Sequence, residues 1–275
     1  MWVEAIGFCA EELGRGALQY IGGEITKEQL MGLGIKKRPH LVQDIVEAIR
    51  GVIRAEIVRA LKQNEFDNMN YAVNAMQENL DLFVSAGATG KDALVTLLNL
   101  SLVSATEIRE KSKDYDFIGG PIFAATVNLE LIALKGLYDM TKKDHAFIKR
   151  SIEIIDDGIA YLPGLYNRLS ELNSVDKRLS KIECKTSTRY VPIYEGDVAV
   201  TTTTCGFSVD GHYGGSSTGQ GGSSDSPRAD VTPAYNAARL NLIRVAEEAE
   251  TNYVTPLRNG VEIWKKTRKE LSKKL

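Results

Sequence analysis

Apolar residues recur at spacings of three and four along most of the chain, which is the period of an amphipathic α-helix. The pattern predicts such helices over residues 2–20, 41–85 and 144–181, and again from about 230 to 273. Each of these helices has one apolar face to bury, so we expect them to pack against one another or against a shared core.

Two consecutive helices in the middle of the chain carry much less charge. The first, from about residue 91 to 113, has no charged residue between Ala93 and Thr106. The second, 117–140, is apolar on every side of the helical wheel, so it must be enclosed by other helices or by lipid. We therefore predict a mainly α fold, a bundle of about six or seven helices around this central helix. The residues expected to be inaccessible to solvent are Ile122, Ala125, Leu129 and Ile132.

The pattern changes before the last helix. Residues 186–209 are rich in Thr, Val and Tyr, and Glu195-Gly196 offers a two-residue turn, which together predict a small β-hairpin. Residues 211–227 are rich in Gly and Ser and are expected to form a flexible loop. We expect residues 1–275 to form a single helical-bundle domain, with the hairpin and the loop inserted before the last helix.

The three cysteines form no CxxC pair and lie far from any histidine cluster, which argues against a zinc site. Cys184 and Cys205 lie at the two ends of the predicted hairpin, about two residues out of register. A disulfide between them is plausible in an oxidising environment, but it would need a bulge. Cys9 is expected to be a thiol packed on the first helix.

Composition and charge exclude few classes of protein. The chain is 43% hydrophobic and 25% charged, which is ordinary for a globular protein and enough for a sizeable core. Its formal net charge of -2 gives no reason to expect a nucleic-acid partner.

No motif in the sequence points to catalysis. The stretch 87–92 has too few residues between its glycines for a phosphate-binding loop, and it has Asp92 where that loop needs Ser or Thr. The three histidines, His40, His145 and His212, have no carboxylate or thiol partner at ligand or triad spacing. We therefore predict a protein that is not an enzyme and that binds no metal and no cofactor.

No stretch of about 18 uncharged apolar residues is present, so no constitutive transmembrane helix is predicted. The first residues have no basic segment and no small-residue cleavage site, so no secretory signal is predicted either. However, the helices 91–113 and 117–140 each have about the ~20 residues needed to cross a bilayer, and a helical hairpin satisfies its own backbone hydrogen bonds there.

The central helix also carries a sequence block with a family resemblance. A proline is followed by an aromatic residue, an alanine, an asparagine, a leucine-rich stretch and a basic residue. The residues of this block are Pro121, Phe123, Ala124, Asn128, Leu131, Ile132, Leu134 and Lys135. The block resembles the core helix of the N-terminal, pore-forming domain of the three-domain insecticidal crystal toxins, the δ-endotoxins. Glu130 and Gly136 depart from that pattern, since the family tends to have a histidine and an acid there.

This resemblance implies a pore-forming or membrane-disrupting toxin that inserts the 91–140 hairpin into a target-cell membrane. It further implies synthesis in the cytoplasm, with storage as a crystal or inclusion as an option, and action from outside on target cells. The expected partners are that membrane and a membrane receptor, with oligomerisation on the membrane. The β-prism and β-sandwich domains of the family are absent from the sequence.

Two alternatives follow from the residues. The first is a non-enzymatic helical scaffold or interaction protein without membrane activity. The second is a helical toxin that inserts the 186–209 hairpin instead. We rank it lower because residues 201–204 are all threonine, and the charges of Glu195 and Asp197 make a poor lipid-facing strand pair.

Overall fold

The computed structural model is mostly helical, with a small antiparallel sheet before the last long helix. It describes residues 7–22, 41, 43–45, 63–86, 91–141, 144–194 and 196–275. Contacts divide the chain into two compact units, Met1–Leu169 with Glu250–Leu275, and Ser170–Ala249. The expectation of a single domain stays a prediction.

The elements follow one another in chain order. A π-helical turn at Phe8–Glu12 precedes α1 (Leu13–Gly22), and the next described helices are α2 (Gln63–Ala86), α3 (Lys91–Ser112), α4 (Asp116–Met140) and α5 (His145–Leu172). After them come α6 (Val175–Arg178), β1 (Glu183–Ile193), β2 (Gly196–Val209), β3 (His212–Gln220) and α7 (Asp225–Ala249). A second π-helical turn, Glu250–Val254, leads into α8 (Thr255–Ser272).

The central helix of the first unit is α4. Every residue from Phe117 to Leu134 is buried, because apolar side chains cover all of its faces and each face needs a neighbour. The prediction of a buried helix over 117–140 is confirmed. The four residues expected to be inaccessible, Ile122, Ala125, Leu129 and Ile132, are at most 1% exposed.

The other predicted helices of this unit compare as follows. The helix expected at 91–113 is confirmed as α3. The helix expected over 144–181 is shorter, because α5 runs through Pro163 but ends at Leu172, and Val175–Arg178 form the separate short helix α6. The long helix expected over 41–85 is described in its later part, as α2, whereas residues 46–62 of that prediction lie outside the described residues.

The second unit has a small core between its sheet and α7. Cys205 and Phe207 of β2 pack with Leu179, Val231 and Leu242. The Phe207 and Tyr235 rings meet edge to face at 5.4 Å between centroids. A buried Arg178 donates from Nε and Nη2 to the carboxylate of Asp210 at 3.0 and 3.2 Å, which fixes α6 to the turn after β2.

The predicted Gly/Ser loop is wrong, because residues 212–220 form a third strand. β3 pairs antiparallel with β2 from Val209↔His212 to Thr202↔Gln220, so the sheet order is β1-β2-β3. The physical reason is the ring of Phe207. A Cβ at Gly214 would lie 2.4 Å from that ring, so a small residue is required where the strand crosses it. Low complexity here reflects close packing in a strand.

The predicted hairpin is confirmed in kind, but its register is wrong. Ile193 pairs with Gly196, one residue earlier than a Glu195-Gly196 turn would require, and this moves every pair by two residues. Cys184 therefore lies directly opposite Cys205, without a bulge. The two form a disulfide with Cα atoms 4.0 Å apart.

The last helical segment begins earlier than the sequence suggested. We expected it to start at about residue 230, but α7 starts at Asp225, whose backbone N–H donates to Ser223 Oγ at 3.2 Å. The same segment is interrupted by the π-helical turn just before Pro256. Proline has no N–H for the helical ladder, and a local widening of the helix accommodates its loss.

Candidate functional site

The turn between α3 and α4 is tight, and one glycine makes it possible. The chain passes through a short 3₁₀ turn, Lys113–Tyr115, and then reverses direction into α4. A Cβ at Gly119 would lie 1.7 Å from the carbonyl oxygen of Ser112, so only glycine lets α4 pass the end of α3. The two helices form a close antiparallel pair, residues 91–140, which we call the α-hairpin.

The residues of the family-like block are core residues of this hairpin. The buried ones are Pro121, Phe123, Ala124, Asn128, Leu131, Ile132 and Leu134. Lys135 is only partly buried, and its Nζ donates to Asp139 Oδ2 at 2.5 Å. The ring of Phe123 lies 4.7 Å from that of Tyr161 in α5 and 6.5 Å from that of Trp264 in α8, between ring centroids.

Asn128 is the one side-chain amide in this block, and its hydrogen bonds explain why it can be buried among apolar residues. Its Nδ2 donates to the carbonyl oxygen of Cys9 at 2.7 Å, within the first π-helical turn. Its Oδ1 accepts from the indole Nε1 of Trp264 at 2.7 Å. Asn128, the Cys9 carbonyl and Trp264 are all buried, so each bond satisfies groups that water cannot reach. The amide therefore ties α4 to both ends of the chain.

A buried ion pair joins the two arms of the α-hairpin. Glu130 in α4 is fully buried, and its Oε1 accepts from Arg109 Nε in α3 at 2.9 Å. Thr106 Oγ1, one turn away on α3, lies 3.4 Å from the other carboxylate oxygen. Glu130 was noted in the sequence only as a departure from the toxin pattern. The structure gives it a partner within the same hairpin.

The tip of the α-hairpin is also tied to the next helix, α5. Asp157 accepts from Arg109 Nη1, and both of its oxygens accept from Lys113 Nζ at 3.0 Å. Arg168, further along α5, pairs with Asp116 at the start of α4. We call this set of contacts from α5 the tip latch. Asp157 is thus a partly buried acid paired with two cations of the α-hairpin tip.

Burial also changes the acidity of three groups beside the hairpin. Burial raises the pKa of Glu130 above 4.5, and Arg109 opposes this increase without cancelling it. Burial, with Asp114 and Asp157 nearby, raises the pKa of Tyr161 to about 12. Tyr253, whose hydroxyl donates to the Phe117 carbonyl at 2.6 Å, also has its pKa raised by burial. Both phenols are neutral near pH 7, and the Tyr253 hydroxyl serves as a buried hydrogen-bond donor.

The described residues contain no group of three or more His, Cys, Asp or Glu side chains placed to hold a metal ion. A groove of about 530 Å³ lies between α2 and α3 and is lined mostly by polar side chains. Those lining side chains include Asn68, Tyr71, Glu107, Lys111 and Asp114, and no nucleophile paired with a base is among them. That the chain is not an enzyme stays a prediction.

The sequence pointed to part of this site only. It picked out the apolar residues of α4 and Asn128, because periodicity and the family block mark them. It missed Arg109, Asp157 and Trp264, because their roles depend on partners far away in the sequence. Arg109 and Asp157 are 48 positions apart, and Trp264 is 136 positions from Asn128. The one local signal was Glu130 itself, since a charge in the middle of an apolar helix calls for a buried partner.

Within the described residues, one helical stretch is long and apolar enough to cross a membrane. It is Asp92–Met140, with a mean hydropathy of 1.7 over an 18-residue window that is completely buried. The core helix of a soluble protein meets the same criterion.

Comparison with protein-family models and with curated proteins finds no match for this chain. The resemblance to the δ-endotoxin pore-forming domain therefore stays a prediction.

Proposed function

We propose that this protein permeabilises membranes in the manner of the pore-forming, insecticidal crystal toxins, by inserting the α-hairpin into the bilayer of a target cell. The observation that carries the proposal is the Asp92–Met140 stretch, which is long and apolar enough to span a membrane and whose apolar 18-residue window is completely buried. Oligomerisation on the membrane and a membrane receptor belong to the same proposal.

The charges of the α-hairpin tip are compatible with insertion because many of them are paired within the hairpin. Arg109 bonds Glu130, Lys111 bonds Glu107 at 2.6 Å, and Lys113 bonds Glu110 at 3.0 Å. These pairs move with the hairpin. A paired charge costs less to bring into or across a bilayer than an isolated one, which costs about 2.5–3.5 kcal/mol at mid-bilayer.

The contacts that must break are those from other elements. The polar ones are the tip latch and the Arg150–Thr106 hydrogen bond from α5, the Tyr253–Phe117 hydrogen bond, and the two hydrogen bonds of Asn128 to Cys9 and Trp264. The apolar surface of α4 loses protein neighbours on insertion and gains lipid, so it needs no exposure to water at the end state. The α-hairpin is thus held in the bundle by a small number of polar contacts with defined partners.

The test is a pair of aspartate substitutions at exposed leucine or valine positions. Val103 is 69% exposed and lies near the middle of α3, whereas Leu240 is 66% exposed on α7, outside the α-hairpin. Either change should alter the free energy of unfolding in water by no more than about 0.5 kcal/mol. Only Val103→Asp would place a charge at mid-bilayer, which should reduce insertion by about a hundredfold.

The readout is leakage of a dye from phosphatidylcholine–phosphatidylserine vesicles, with and without prior protease treatment. We expect leakage with the wild type and Leu240→Asp and almost none with Val103→Asp. Equal leakage by Val103→Asp would contradict insertion of the α-hairpin. Absence of leakage by the wild type under every condition would contradict the proposed function itself.

A second candidate function, a non-enzymatic scaffold, is favoured by one observation. The buried polar contacts of α4, at Asn128 and Glu130, are fully partnered inside the bundle, which is how a permanent core is built. The same leakage assay separates the two, since a scaffold leaves vesicles intact.

A further inference from the structure

The outer half of the β1–β2 hairpin exposes its largest apolar side chains. Tyr190, Ile193, Tyr194 and Val198 are 72%, 54%, 105% and 44% exposed, respectively. Exposed apolar side chains scattered singly need no explanation, but these four lie within nine residues of the same hairpin. We call residues 190–194 and 196–200 the β-tip.

The β-tip stands beyond the third strand. β3 pairs with β2 only from Val209 to Thr202, so among the described strands the β-tip consists of β1 and β2 alone. Four residue pairs, from Tyr190↔Ala199 to Ile193↔Gly196, lie within the β-tip, and the pair Arg189↔Val200 forms its base. Together these pairs extend roughly 15 Å at ~3.3 Å per residue. A two-stranded ribbon without further packing is at best marginally stable in water, so exposure of its apolar side chains does not stabilise it.

Both faces of the β-tip are apolar, which restricts what could cover it. Because side chains alternate along a strand, Tyr190, Pro192 and Ala199 lie on one face, together with the single charged residue Asp197 near the turn. The other face carries Val191, Ile193, Val198 and Val200. A pocket on a folded protein would cover one face of this ribbon. A lipid surface surrounds both faces at once.

The composition of the β-tip suits the boundary of a bilayer better than its centre. Tyrosine is enriched where headgroups meet acyl chains, because its ring is apolar and its hydroxyl remains hydrated. Asp197 and the open backbone edges of a two-stranded ribbon need water, which the hydrocarbon core lacks. Arg189, at the base of the β-tip, is exposed and can meet lipid phosphate.

We propose that the β-tip binds the interfacial region of a lipid bilayer and brings the protein to the membrane, without spanning it. The β-tip proposal rests on the proposed membrane permeabilisation in one respect, since both name the same target membrane. It assigns membrane contact and membrane permeabilisation to different segments, the β-tip and the α-hairpin. The two activities are therefore separable by mutation.

The experiment measures co-sedimentation with vesicles of phosphatidylcholine, with and without phosphatidylserine. The test variant is Ile193→Asp/Tyr194→Asp. The matched control is Tyr213→Asp, which changes an exposed tyrosine of β3 in the same sheet but outside the β-tip. Loss of these two interfacial side chains should lower vesicle binding by tenfold or more, since burying one large apolar side chain is worth roughly a tenfold change in affinity. Unchanged circular dichroism and melting temperature would show that all three proteins are folded.

Each outcome bears on one proposal or on both. Normal binding by the β-tip double variant, or equal loss with Tyr213→Asp, would overturn the β-tip proposal and leave the α-hairpin untouched. Val103→Asp should bind vesicles like the wild type yet fail to release dye. If it both binds and releases dye, insertion of the α-hairpin is overturned and the β-tip proposal stands. A wild type that neither binds nor permeabilises vesicles overturns both.

Discussion

The protein contains two hairpins that treat their apolar side chains in opposite ways. In the α-hairpin, α4 is enclosed by its own partner helix and the surrounding helices, and its buried side chains Glu130 and Asn128 each have a hydrogen-bond partner. The β-hairpin is packed and disulfide-linked at its base and leaves its apolar tip in water. Substitutions in the α-hairpin should therefore lower the free energy of unfolding, whereas substitutions in the β-tip should not. This difference separates a segment buried in the core from a segment exposed to solvent.

The largest effect on this comparison should come from Arg109→Ala. It leaves Glu130 buried without its cation, which costs about 3–5 kcal/mol of unfolding free energy. Urea denaturation provides the measurement. Lys111→Ala, which breaks an exposed pair with Glu107 on the same helix, should cost less than about 1 kcal/mol. The double variant Arg109→Ala/Glu130→Gln should recover part of the lost stability. Equal costs for Arg109→Ala and Lys111→Ala would contradict a buried charge pair.

A matched pair of apolar truncations tests the contrast directly. Leu131→Ala in α4 should lower the free energy of unfolding by about 2–5 kcal/mol, because it leaves a cavity in the core. Ile193→Ala in the β-tip should change it by no more than about 0.5 kcal/mol. Urea denaturation of each variant and of the wild type measures both changes in the free energy of unfolding. A large cost at Ile193 would mean that the β-tip packs against the protein rather than standing free.

The disulfide should matter for the second unit only. Reduction of Cys184–Cys205, which closes a loop with a sequence separation of 21, should destabilise the sheet by about 2–4 kcal/mol. Far-ultraviolet and near-ultraviolet circular dichroism during denaturation, with and without reductant, would reveal it. A Cys9→Ala background removes the remaining buried thiol as a source of exchange. Simultaneous loss of the near-ultraviolet signal of Trp264, a buried residue of the first unit, would show that the two units unfold together.

The smallest effect is a pH dependence at Glu130. Because burial raises its pKa in the folded state, the folded protein holds this proton more tightly than the unfolded chain does. Its contribution to stability is therefore present below pH 4.5 and declines as the pH rises from 4.5 through the folded pKa. Unfolding free energies of the wild type and Glu130→Gln, compared across this range, should diverge in that direction. A difference that does not change with pH would contradict it.

The sequence predicted the elements that depend on local periodicity. The apolar wheel of 117–140 was enough to predict its burial, and the spacing was enough to predict both bounds of α3 and the start of α5, but not the end of α5 at Leu172. It failed where a residue's role depends on distant packing. Gly214 was assigned to a loop because glycine usually marks flexibility, yet it lies under the Phe207 ring in a strand. Asp157 pairs with Arg109 and Lys113, which lie 48 and 44 positions away in the sequence, so its neighbours along the chain do not reveal these partners.

The central claim is that the α-hairpin leaves the bundle and enters the bilayer. The direct test attaches an environment-sensitive fluorophore to Val103→Cys in a Cys9→Ala background, and to Leu240→Cys as the control. Both positions are exposed in solution, so labelling leaves the core intact. On vesicles whose lipids carry nitroxide groups deep in the acyl chains, we expect quenching and a blue shift at position 103 and neither at position 240. Vesicle leakage with the label at 103 still in water would contradict the claim.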